Sequence, residues 1–288
     1  MAAALGPLGL VARAYRWRYV FPPRSNPPGL LPAMMIGYMV NNVLPLRAGE
    51  FVRVYVVSRR WGAGRFWTAA ATLIVERVLD SLCLVGILGV LIFLVDVPPV
   101  VEWAAIIMLA VDVAGVSMLV AIAAAPARCR RLIERLTARW PALRGRLLSA
   151  FETFLHGLDG VRAREHLGPL AAWTVVVWLI PALAAWTSLR AANLHLPLIA
   201  GWVVLAFIGL GVSIPSAPGA VGVFHAAAML ATRMFGVGEA EGLGYAIIFH
   251  ASQFIPVTVI GWVYLLREHM TFRDVVAVTP TETPPLSR

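Results

Sequence analysis

Glu76, Arg77 and Asp80 lie inside an otherwise apolar run, residues 66–95. Spacings of three and four put them on one side of a helix. A charge at the centre of a bilayer costs about 2.5–3.5 kcal/mol on the insertion scale, so three unpaired charges could not persist there. They must face protein partners or a wet cavity. The candidate partners are Arg47, Glu50 and Arg53, which follow a break at Asn41-Asn42-Val43-Leu44-Pro45. Together the six residues carry three positive and three negative charges, a neutral set that a low-dielectric site tolerates. The guanidinium fork fits phosphate as well as carboxylate. Two readings follow: a salt-bridge cluster locking a broken helix to its neighbour, or a site for an anionic or zwitterionic headgroup.

The surrounding chain must place these charges at membrane depth. Of its 288 residues, 60% are hydrophobic and 14% charged, with a mean hydropathy of +0.79. Soluble domains carry about a quarter charged residues, and disorder needs low hydrophobicity. Both classes are excluded, and the expected fold is an all-α polytopic membrane protein, one integral domain over residues 1–288. Residues 66–95, 100–125, 169–189 and 243–266 are long enough to span. Residues 198–214 and 220–235, 17 and 16 in number, only reach or fall below the usual minimum of about 17 residues for a span. They are expected to form a hairpin of broken helices around Pro215, Pro218 and Gly219. Residues 29–60 form a counterpart broken near Pro45, giving six to seven segments in all. Gly37, Pro45 and Gly49 are laid out much as Gly209, Pro215 and Gly219 are. Paired interrupted segments point to an inverted-repeat transporter site.

All 24 basic residues are Arg, and the formal net charge is +9. Such a balance suits nucleic acid, but here the Arg residues cluster between apolar spans, where the natural partner is an anionic leaflet. No nucleic-acid partner is expected. Residues 47–65 carry five Arg against Glu50, and residues 126–167 nine Arg against four carboxylates. The positive-inside rule puts both stretches and the tail 267–288 in the cytoplasm of a multi-pass inner-membrane protein. Residues 126–167 form a basic connection. Within it Leu136, Trp140, Leu143, Leu147, Phe151, Phe154 and Leu158 recur at helical spacing. That stripe suits a helix in the inner-leaflet interface, or a hairpin packing on itself. Residues 1–28 open with an apolar run, Met1 to Val11, that is too short to span by itself, and Arg13, Arg16 and Arg18 follow it, against a signal peptide. This start is expected to be a truncated helix. Asp112 either joins the network or snorkels. His250 and Gln253 share a helix face, where a histidine is expected to make an interhelical hydrogen bond. Cys83 and Cys129 form no disulfide framework. With no HExxH, GxSxG, GxxxxGK[ST] or GxGxxG motif, no cofactor or metal is expected.

The run from Gly37 to Arg53 fits G-x3-N-x2-L-P-x-R-x-G-E-x2-R, and Glu76, Arg77 and Asp80 fit E-R-x2-D. Pro215, Pro218, Gly219 and Gly222 follow P-x-x-P-G-G-x-G-x-x-E, with Ala220 for the second Gly and His225 for the Glu. In these three ordered motifs the chain resembles the lysylphosphatidylglycerol synthase transmembrane region, also called the flippase-like family. Arg16, Trp17 and Arg18 match the Arg-Trp-Arg segment that follows a membrane helix in that family. Members fused to a soluble aminoacyltransferase make a lysylated lipid and move it between leaflets. The resemblance implies the lipid-translocating half here, with any coupling through the family Glu altered or taken over by His225. The expected site is Asn41, Asn42, Pro45, Arg47, Glu50, Arg53, Glu76, Arg77, Asp80, Pro215, Pro218, Gly219, Gly222 and His225. The expected partners are membrane lipids with anionic or aminoacylated headgroups, and a lipid-modifying enzyme. A transporter is favoured over an enzyme. A transferase acting on a polyprenyl-linked or other lipid, and a non-catalytic partner of a lipid-modifying enzyme, stay open.

Overall fold

Backbone N–H and C=O groups in a bilayer must be bonded within the protein, and this chain meets that demand with helices. The computed structural model describes residues 2–45, 47–62, 65–213 and 217–277, and every regular element among them is helical. In chain order these are α1 (Ala2–Arg18), α2 (Leu30–Val43), α3 (Gly49–Trp61), α4 (Phe66–Leu94) and α5 (Pro99–Ala124). There follow α6 (Pro126–Leu136), α7 (Pro141–Gly157), α8 (Asp159–Arg162), α9 (Arg164–Ala191) and α10 (Leu198–Ser213). A 3-10 turn (Pro218–Ala220), α11 (Val223–Arg233), α12 (Glu239–Arg267) and α13 (Phe272–Ala277) complete the order. Helices α4, α5, α9 and α12 are long and apolar enough to cross a membrane, while α2 and α10 are apolar but shorter. Pro99, Pro126 and Pro141 each open a helix, where the missing N–H costs nothing.

The two expected broken pairs are present as α2/α3 and α10/α11. In the first, Gly37 and Gly49 let the backbones touch: a Cβ on Gly49 would overlap the Gly37 carbonyl and the Asn41 side chain. Asn41 Oδ1 accepts the Gly49 N–H at 2.8 Å, fastening the two helices just below the break. In the second, Gly219 has φ +62° and Gly222 φ +87°, the left-handed region that glycine adopts freely. Pro215 lies outside the described residues.

The packing repeats between halves. Helix α1 packs on α2 as α9 packs on α10, α3 on α4 as α11 on α12, and α2 on α12 as α10 on α4. The opening helices of the halves, α1 and α9, are antiparallel neighbours. Tyr15 stacks on Trp173 with ring centroids 5.1 Å apart, and Tyr19 meets His166 edge-on at 5.7 Å. Residues 2–18, read from sequence as a fragment too short to span, thus form a central helix packed on α2, α9 and α12, with Leu10, Ala12, Ala14, Arg16 and Trp17 buried.

Two peripheral features differ from either expectation or decide between alternatives. Asp112 neither joins the network nor snorkels. It is buried on the stripe of α5 shared with Val101 and Ala105, and its Oδ2 has no hydrogen-bond partner. The basic connection is a helical hairpin: α6 packs on α7, Arg130 reaches both Glu134 and Glu152, and Gly157 of α7 closes on Thr68 and Ala71 of α4. Leu132, Leu136, Trp140, Leu143 and Leu147 stay exposed on it.

The contact between Gly37 and Gly49 makes a direct prediction. Gly49→Ala should destabilise the protein by about 1–3 kcal/mol or more, the usual cost of overpacking. Gly89→Ala, whose added carbon meets nothing, should be neutral or stabilising by up to about 1 kcal/mol. Thermal unfolding of the purified protein in detergent distinguishes the two.

Candidate functional site

Helix α4 presents Glu76 and Asp80 one turn apart. Asp80 is at the midpoint of its 29 residues, about 21 Å from either end at 1.5 Å per residue. Helix α3 turns Glu50 and Arg53 toward them from the first broken pair, and α1 supplies Arg13, Arg16 and Trp17 at helical spacing. Asp80 is met by Arg16 at 2.6 Å, Arg13 at 2.8 Å and Arg77 at 3.3 Å. Glu76 is met by Arg53 at 2.6 Å, Arg77 at 2.8 Å and Arg16 at 3.5 Å. Glu50 is met by Arg53 at 3.2 Å, Arg77 at 3.5 Å and Arg47 at 3.7 Å. Each carboxylate therefore has three guanidinium neighbours, and Arg77 touches all three carboxylates. Trp17 covers Arg53, whose Cζ lies 4.4 Å from the indole centroid, and Trp17 Nε1 donates to Thr72 Oγ1 at 3.1 Å. A cation over a desolvated indole face is stabilised by about 2 kcal/mol or more.

The six residues expected to meet do meet, but the neutral count does not hold. Arg13 and Arg16 join, so five guanidinium groups face three carboxylates, a formal excess of two positive charges. A signal for them was available in the spacing of Arg13, Arg16 and Trp17, which share one helix side. The positive-inside pattern explains the same residues as a cytoplasmic flank, and only packing of α1 into the bundle separates the two readings.

The tips of the broken pairs come together beside this cluster, at the middle of α12. Asn42 Nδ2 donates to Thr258 Oγ1 at 2.8 Å and to the Phe254 carbonyl at 3.4 Å. His250 Nε2–H donates to the Gly219 carbonyl at 2.9 Å, the interhelical bond expected of it. A Cβ on Gly219 would strike the Phe254 ring, with the Asn42 carbonyl close behind. His225 accepts the Gly222 N–H on Nδ1 at 3.3 Å, closing the start of α11, and stands edge-on to His250 with centroids 4.8 Å apart. Gln253 donates to the Ala2 carbonyl at 3.3 Å.

Between the tips, α1, α9 and α12 lies a cavity of about 380 Å³, within the range of small-ligand sites. Four of the residues expected at the site line it: Asn41, Asn42, Arg47 and Gly219. Arg13, Tyr38, His250 and Gln253 add polar groups, and Gly6, Leu10, Trp178 and Phe224 are among its apolar walls. Glu50, Arg53, Glu76, Arg77 and Asp80 stand behind that lining as a supporting cluster, and Pro45, Pro218, Gly222 and His225 shape the two breaks.

Fold and site together define a multi-span membrane protein, helical in every regular element among its described residues, in which two broken helix pairs meet beside an ionic cluster buried around the middle of α4. The chain belongs to the lysylphosphatidylglycerol synthase transmembrane-region family, which it matches over residues 1–261. It is also similar to Glycosyltransferase AglD of Haloferax volcanii, at 26% identity over 266 residues, covering 80% of this chain and 42% of that protein. The chain thus spans less than half the length of that relative. No solved structure matches it significantly.

Removing one partner from a buried ion-pair cluster costs about 3–5 kcal/mol, so Glu76→Gln should sharply lower the unfolding midpoint in detergent. Arg47→Gln, a half-exposed side chain with one long contact, should change stability by no more than about 0.5 kcal/mol. The pair Arg53→Leu with Glu76→Leu should cost less than the sum of its single variants, because neither then leaves a buried charge alone.

Proposed function

We propose that this protein moves a lipid between leaflets, with the headgroup passing through the cavity between the two hairpin tips. The carrying observation is the position of that cavity. It is reached by two broken helix pairs, one from each half of the chain, beside the cluster around Asp80 at the middle of α4. Interrupted helices at a repeat interface are the usual way for a transporter to place polar groups at the bilayer midplane. Of the residues expected from sequence, Asn41, Asn42, Arg47 and Gly219 would contact the headgroup. Glu50, Arg53, Glu76, Arg77 and Asp80 would fix the hairpin that presents them, and Pro45, Pro215, Pro218, Gly222 and His225 would set the breaks. Movement would be a rocking of the two halves. Arg-rich residues 47–65 and 126–167 support an orientation with these stretches and the C-terminus in the cytoplasm, in the cell membrane.

A second reading has specific support. A relative is named as a glycosyltransferase, so the chain could be the membrane portion of a lipid-linked transferase system, or a partner of such an enzyme.

Leaflet exchange of labelled lipids in proteoliposomes tests the first reading. Exchange should exceed that of empty liposomes by about tenfold or more and fall toward background in Glu76→Ala. Rates equal to empty liposomes would remove it. A new covalent lipid product in cells expressing the chain would favour the transferase reading.

A further inference from the structure

We propose that the cavity is a site for a phosphate group with no compensating ammonium, held by Arg13 of α1 and Arg47 at the break between α2 and α3. The inference rests on the cavity being the headgroup site and specifies the chemistry of its ligand. Arg13 and Arg47 are the charged residues of the lining, and no carboxylate lines it among the described residues. The other polar groups there, Tyr38, Asn41, Asn42, His250 and Gln253, supply hydrogen bonds without negative charge.

Both arginines have donors to spare. Each guanidinium carries five N–H groups. Arg13 makes one close ion pair, to Asp80 at 2.8 Å, and Arg47 one long contact, to Glu50 at 3.7 Å with 42% of its side chain exposed. Arg16 and Arg53, by contrast, are sealed from solvent and each bridges two carboxylates. Nε of Arg16, Arg53 and Arg77 is buried without a hydrogen-bond partner, as are Glu50 Oε1 and Asp80 Oδ1 on the acceptor side, and five guanidinium groups offer more donors than three carboxylates can accept. The excess of two positive charges cannot be relieved by losing a proton, because arginine does not deprotonate in proteins. It can be relieved by an anion, and a phosphate brings several acceptor oxygens to two forks that suit it.

Space is provided where the charge is. Gly6, Gly9, Leu10 and Arg13 share the cavity face of α1, at spacings of three and four. Gly6 admits the Gln253 side chain, whose Oε1 would lie 2.8 Å from an added Cβ, and Gly9 puts no side chain on that face next to Arg13. A lysylated headgroup would bring an ammonium into this space with two guanidinium groups and no carboxylate to receive it. Phosphatidylglycerol-like or phosphomonoester headgroups meet no such conflict.

The test measures affinity of the purified full chain in detergent for short-chain phosphatidylglycerol, phosphatidic acid and lysylated phosphatidylglycerol, with glycerol phosphate and inorganic phosphate as headgroup-only probes. The two anionic lipids should bind at least about tenfold tighter than the lysylated one. Arg13→Gln and Arg47→Gln should each weaken them by about tenfold, the loss expected for one charge-assisted contact. Arg47→Gln keeps the test informative if Arg13→Gln fails to fold. Inorganic phosphate binding as tightly as the lipids, with the same dependence on Arg47, would support the phosphate site and assign it to a free anion. Equal or tighter binding of the lysylated lipid, or unchanged binding in Arg47→Gln, would overturn the proposal. Arg-dependent anion binding without leaflet exchange would remove translocation and keep this site. Leaflet exchange with no preference for anionic lipid would do the reverse.

Discussion

Three carboxylates enclosed in an apolar helix bundle, two of them near the middle of α4, are the constraint to which the rest of the molecule answers. Each is surrounded by three guanidinium groups, and those groups come from α1, from the first broken pair and its break, and from α4 itself. Losing a buried member of such a cluster is costly in a low-dielectric setting, because a charge left alone costs more than the intact set. Three chain segments far apart in sequence are therefore held in one arrangement. Trp17 makes the arrangement directional: it covers Arg53 and is itself fixed to Thr72, so α1 is pinned both by its charges and by its indole.

The two halves use different chemistry for the same structural task. The first broken pair is secured by ion pairs and by the Asn41 bridge across Gly37 and Gly49. The tip of the second is secured by neutral groups, with His250 on the Gly219 carbonyl and Phe254 packed against Gly219. The cavity forms where these unlike surfaces face each other. It inherits positive charge from one side and a mostly apolar wall from the other.

Much of the fold was legible because apolar length is written directly in the sequence. Helices α4 and α5 begin and end within a residue of the runs 66–95 and 100–125, and both interrupted pairs follow from runs too short to span. The mutual contact of Arg47, Glu50, Arg53, Glu76, Arg77 and Asp80 was legible too, since charges at that depth require one another. Arg13 and Arg16 were not, because an arginine after an apolar stretch looks the same whether it ends in water or turns inward onto Asp80. Asp112 was obscure for the opposite reason: its burial depends on how α5 rotates against α4, which periodicity in a uniformly apolar helix does not define. The part played by His225 was hidden as well, since accepting the Gly222 N–H depends on a backbone turn that only the folded tip creates.

Both hairpin tips hang from little more than two turns of α12. Asn42 is tied at Phe254 and Thr258, Gly219 at His250, and Pro256 falls inside the same stretch. Proline removes a backbone donor and weakens the helical ladder at its own turn, so the point where α12 bends most readily is also where both tips are attached. The halves of the molecule are in this sense joined through a single helix, which holds the tip of each broken pair within a few residues of the other.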